Sequence, residues 1–140
     1  MNTDNKALEK WQDVWRRGFG PTLPLAGLEN LRDALMANDE RLIQSATTLP
    51  QALHCVRDWQ CEGACAVSFA GWLAGELDTV GEVEEFFARA CFECDQLLGE
   101  PAACRFFLNW FDDTPRPIVL KELLVEVEQT LRWRRDEANG

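Results

Sequence analysis

Apolar residues recur along this chain at the three- and four-residue spacing that lines one face of an α-helix. No segment alternates apolar and polar residues well enough to predict a strand. The first predicted helix covers residues 3–17, with Leu8, Trp11, Val14 and Trp15 as its stripe. Gly18-Phe19-Gly20-Pro21 is expected to end it, since glycine and proline both break helices. Leu25, Leu28, Leu31 and Leu35 predict a second helix reaching about Asn38. A short helix from about Asp39 would turn Leu42, Ile43 and Ala46 inward.

Thr48 reads as an N-cap ahead of Pro50, starting a short helix over residues 51–59 that carries Leu53 and Val56. Residues 61–73 follow as another, with Cys61, Cys65, Ser68, Phe69 and Trp72 on one face. Its many glycines and alanines let a neighbouring helix approach closely, so it belongs in the core. The clearest helix covers residues 78–99. Thr79 and Glu82 form a T-x-x-E capping box, Gly99 is the expected C-cap, and Val83, Phe86, Phe87, Ala90, Cys91, Cys94, Leu97 and Leu98 face inward. The next, from Pro101, is apolar almost all round and is expected to be central together with 78–99. Thr114-Pro115 starts the last, whose Leu120, Leu123, Leu124, Val127 and Leu131 face the core. These elements predict an all-α fold: a compact orthogonal bundle of six to eight short helices in a single domain spanning residues 1–140.

Composition narrows the function. The chain has 140 residues, 46% of them hydrophobic, enough for one core. The polar start of the chain has no apolar signal-peptide region, and the longest uncharged run, residues 63–75, is short of the roughly 20 needed to span a bilayer. A cytoplasmic protein with no membrane association is expected, with its thiols reduced. The net charge is −10, and it is uneven: residues 61–113 hold eleven acids against Arg89 and Arg105 alone. Direct nucleic-acid binding needs a basic face and is not expected. An acidic surface around Glu76, Asp78, Glu82, Glu84 and Glu85 instead suits a basic protein partner.

Six cysteines carry the remaining chemistry: Cys55, Cys61, Cys65, Cys91, Cys94 and Cys104. Cys61 with Cys65, and Cys91 with Cys94, have spacings that put each pair on one helix face. As a metal site they would be four thiolate ligands for zinc, copper(I) or an iron–sulfur cluster, with Cys104 or His54 in reserve. Against this, free cysteine packs as a small buried hydrophobe, and both pairs lie in apolar helical context rather than in knuckle loops. Buried packing is the leading reading, with no cofactor expected. His54 and Cys55 are adjacent, so on a helix their side chains diverge and do not form a catalytic pair; His54 reads as a partly buried structural residue. With one histidine, a ferritin-like metal centre is excluded. Phosphate loops and hydrolase signatures are absent. No catalytic residue emerges.

Trp133 lies off the core stripe of the last helix. It is either covered by the first helix or used by a second chain, with Trp11 and Trp15 as the matching surface of a symmetric homodimer. The leading expectation is a small non-enzymatic interaction protein of the adaptor, inhibitor or immunity kind; the alternative is a thiolate metal or iron–sulfur bundle.

Overall fold

The chain enters its first helix at Glu9, which caps α1 (Lys10–Val14) reciprocally with Gln12: the Glu9 N–H donates to Gln12 Oε1 at 3.0 Å. The computed structural model describes residues 8–54 and 56–139, so most of the predicted start of this helix, residues 3–7, lies outside the described residues. The helix does not stop at Gly18. It continues as a π-helical turn (Trp15–Phe19) into a short α2 (Gly20–Thr22). Pro21 falls in the first turn of α2, where a missing N–H is tolerated. Gly18 serves packing rather than termination: a side chain there would run into Cys94 and Leu98 of a neighbouring helix. The last carbonyls, of Gly20 and Leu23, accept from the Arg134 guanidinium.

α3 (Leu25–Ala37) buries Leu28, Leu31, Ala34 and Leu35 and ends at Asn38, which is left-handed at φ 51°. The predicted helix from Asp39 is absent. Residues 39–47 form turns, and Ile43 and Ala64 are joined by a backbone bond of 2.9 Å. At Thr48 an antiparallel pair replaces the expected helix start: β1 (Thr48–Leu49) faces β2 (Gly63–Ala64). Pro50 follows a cis peptide bond, and of the helix expected over residues 51–59 only a 3-10 turn (Ala52–His54) is described. α4 (Ala66–Trp72) starts later than predicted, with Cys65 as its N-cap, and every residue from Ala66 to Gly71 is buried.

α5 (Val80–Leu98) has the capping box read from the sequence, with Thr79 Oγ1 accepting from the Glu82 N–H at 3.2 Å and Gly99 left-handed after it. Its inner face is as expected except for Leu97, which is exposed. α6 (Cys104–Asp113) starts three residues after Pro101. Asp95 of α5 holds that start by accepting from the Ala102 and Cys104 N–H groups at 3.0 and 2.8 Å. It is not central: Cys104, Phe107 and Phe111 are buried, but Phe106 is exposed, so α4 replaces it beside α5. α7 (Arg116–Asn139) turns Val119, Leu123, Val127 and Leu131 inward.

The packing joins early chain to late. α3 lies on α7 and on α4, α1 lies on α6, and the π turn lies on α5. Trp11 stacks on Trp110 with centroids 3.5 Å apart, and Trp15, Phe19 and Phe107 cluster beneath them. The buried Glu126 of α7 accepts a two-pronged bond from Arg16, at 2.7 and 2.9 Å, and a third from Gln12. Arg116 binds Asn38, Asp39 and Leu42 together, which seals the end of α3 against the start of α7. The result is the expected compact all-α bundle, with β1–β2 the only strand pair among the described residues. No helix among the described residues is long and apolar enough to cross a membrane.

Candidate functional site

Two places concentrate chemistry. The first is the acidic end of α5 and the loop laid over it. The backbone of residues 57–61 runs along residues 78–81: Cys61 N–H donates to Asp78, Val80 N–H to Trp59 and Gly81 N–H to Arg57, at 2.7–2.8 Å. The approach is close enough that a side chain at Gly81 would meet Arg57 at 3.1 Å. Thr48 donates to Glu84 at 2.9 Å, and Arg57 lies 3.6 Å from Glu85. The backbone of residues 57–61 is therefore tied down, yet the apolar side chains on and just before it are exposed. Leu53 is 93% exposed, Val56 57% and Trp59 52%. His54 is exposed too, correcting the expectation of partial burial.

The five predicted acidic residues have different duties here. Glu82 accepts from the N–H groups of Asp78 and Thr79, both at 3.1 Å, and these bonds hold its carboxyl below the usual range. Glu84 fastens β1 through Thr48, and Glu85 faces Arg57. Glu76 and Asp78 are exposed. All five lie within a short stretch leading into and along the first turns of α5, and the 57–61 backbone that carries Trp59 is bonded along residues 78–81 of that stretch.

The second place is a cavity of about 330 Å³ between the 45–47 segment, α5 and α6. Cys65, Cys91 and Cys104 line it, with Arg105 and Asp112. Cys91 faces it from α5 and Cys104 from the start of α6. Burial pushes every described thiol upward, Cys94 to about 12. Asp95 adds to the rise at Cys104, while Arg105 opposes it. The thiols are thus protonated near neutral pH, the reverse of an activated nucleophile. Asp112 is also raised, by burial, against the Ser45 N–H bond that lowers it.

The predicted ligand set Cys61, Cys65, Cys91 and Cys94 is not assembled. Cys61 and Cys65 are not on one helix, because the chain there is extended and forms β2. The Cys61 thiol donates to the Gly63 carbonyl at 3.2 Å, and Cys65 to Ser68 at 3.4 Å. Cys94 packs against Gly18 instead. Among the described residues no three or more His, Cys, Asp or Glu side chains are gathered as a metal ion requires. Cys55 lies outside the described residues. What the sequence reading missed is the grouping of Cys91 with Cys104 at one cavity; both were placed inward, but their sharing it depends on how α5 and α6 pack.

Trp133 is 44% exposed and borders a cavity of about 220 Å³ with Arg16, Glu126, Gln129 and Thr130. The matching dimer surface proposed from the sequence fails, since Trp11 and Trp15 are 3% and 0% exposed. Their rings are spent on Trp110 and Phe107 inside the fold. Comparison with protein-family models, with curated proteins and with solved structures finds no match.

Proposed function

We propose that this chain is a non-enzymatic interaction protein of the cytoplasm, of the adaptor or inhibitor kind, and that its partner is a basic protein. The observation that carries this reading is the segment bearing the exposed Leu53, Val56 and Trp59, whose residues 57–61 are bonded along residues 78–81 in the acidic stretch that leads into α5. Apolar anchors beside charge of one sign are how a protein surface combines affinity with selection of a partner. A basic segment bearing its own apolar side chains complements both features. Charge attraction would speed encounter, and Leu53 and Trp59 would supply the buried contact.

The test is capture of a partner from lysate at low and high salt, followed by binding of the purified partner to variants. Glu82 and Glu84 are poor choices for reversal, because they hold the helix cap and β1. Glu76→Lys with Glu85→Lys is expected to slow association, and Leu53→Asp to abolish binding, with the helical circular dichroism unchanged. Glu128→Lys on α7 serves as a control and is expected to change little. A partner that is not basic, or binding that survives both sets of changes, refutes the surface.

A further inference from the structure

α6 turns one stripe toward the cavity it shares with α5 and the 45–47 segment. Arg105, Leu108 and Asp112 recur on it at three- and four-residue spacing, so a cation, an apolar side chain and an anion stand in a row. From Arg105 to Asp112 the helix rises about 10.5 Å, and helical side chains lean toward the N-terminus, so Arg105 leans away from Asp112. The two do not pair. Among the described residues the Arg105 guanidinium has no ion-pair or hydrogen-bond partner, and Asp112 accepts only from the Ser45 N–H, at 2.8 Å, through one of its two oxygens. Phe87 of α5 lies in the facing wall. The rim is pre-formed: Gln44 donates to the Phe111 and Thr114 carbonyls, both at 2.7 Å, and Ser45 is held at a left-handed φ of 71°. Few residues with a side chain take that conformation, and those that do cluster at ligand sites. At about 330 Å³ the space is at the lower end of the range for small-molecule pockets, and the exposed Arg105 opens it to solvent.

We propose that this cavity binds a short peptide of two or three residues by its two ends. The C-terminal carboxylate pairs with the Arg105 guanidinium, whose planar fork suits two oxygens. The N-terminal ammonium lies at the second oxygen of Asp112, and an apolar side chain between them packs on Leu108 and Phe87. Length selects the class of ligand. An extended chain covers ~3.3–3.6 Å per residue, so two or three residues match the spacing of the two charges. A single amino acid carries its charges too close together to reach both. A simple amine or a simple acid leaves one of the protein's charges without a counterpart. Burial supports the same reading: it holds the Asp112 carboxyl above its ordinary value, with Asp113 adding to the rise and no cation opposing it. An ammonium there supplies the missing counter-charge. None of these residues belongs to the acidic and apolar surface proposed for a protein partner, so either reading stands without the other.

The experiment titrates the isotope-labelled full chain with the tripeptide alanyl-leucyl-alanine and follows the backbone amide signals by nuclear magnetic resonance. Saturable shifts are expected at residues 45–47, at Phe87 and along α6, with little change at Leu53, Trp59 or Trp133. The N-acetylated tripeptide and the C-terminal amide are each expected to bind roughly ten- to hundredfold more weakly, the effect of one lost charge-assisted bond. Asp112→Asn should weaken binding of the free tripeptide but not of the N-acetylated form. Arg105→Gln should weaken the free tripeptide but not the amide. The blocked peptides are tested on the wild type, so a variant that loses its helical circular dichroism does not remove the test. No saturable shift at about millimolar peptide, equal binding of free and blocked forms, or shifts centred on another surface overturns the proposal.

Discussion

Gly27 marks the point where α3 meets α4, and a side chain there would run into the Ala70 carbonyl. The obstacle is backbone, which cannot swing aside as a side chain does. Gly27→Ala is expected to lower stability by about 1–3 kcal/mol, the cost of overpacking, read from the midpoint of urea unfolding. A variant as stable as the wild type would show that the two helices part easily. Asp112 gives a pH-dependent test. Burial raises its folded-state pKa above the ordinary 3.8, so at neutral pH its charge costs stability. Asp112→Asn can still accept from the Ser45 N–H. It is expected to raise the melting temperature at pH 7. That advantage should be complete above the raised folded pKa, shrink as pH falls through it, and vanish below 3.8, where the carboxyl is neutral in both states. Melting curves of the two proteins at acid and neutral pH decide it, and an equal difference at both refutes the assignment.

The helices differ in how far the sequence alone revealed them. α5 was legible because its signals are local: Thr79 and Glu82 cap each other three residues apart, and Gly99 takes a left-handed φ of 66°. Residues 39–61 were not, because partners remote in sequence decide their shape. Thr48 looked like a helix cap, but its hydroxyl goes to Glu84 and its strand to Ala64. That change removed Cys61 and Cys65 from a common helix, and the predicted ligand set fell with it. The inward positions of Cys91 and Cys104 were readable from their stripes, whereas their sharing one cavity between α5 and α6 is tertiary. The continuation of α1 through Gly18 and Gly20 was hidden for the same reason, since α5 and α7 hold those glycines. The buried Trp15 N–H there donates to Thr130 Oγ1 at 2.9 Å, and Thr130 in turn donates to the Glu126 carbonyl. Thr130→Val keeps the shape but strands the indole N–H, and is expected to cost about 1–3 kcal/mol by chemical unfolding. Thr130→Ser should restore most of it; if Val and Ser behave alike, the hydroxyl is not what fixes this crossing.

For the molecule as a whole, charge works against compactness. A net charge of −10 concentrates on residues 61–113, and surface ion pairs such as Arg17 with Asp13 offset little of it. Raising salt from about 10 to about 100 mM shortens the screening distance from about 30 to about 10 Å. Thermal melting is therefore expected to shift upward over that range; a downward shift would mean that attraction outweighs repulsion in this surface. The closure of Trp15 on Thr130 has a further consequence, in time. The two are 115 residues apart in sequence, so a ribosome adding ~5–20 residues per second needs roughly 6–23 s to supply the second after the first. For most of that interval, until Phe107 and Trp110 are made, Trp11, Trp15 and Phe19 lack those rings to settle against, and Thr130 comes last. The nascent amino-terminal helix is then a greasy, unfinished segment, and in a cell it is the natural substrate for whichever chaperone waits at the tunnel exit.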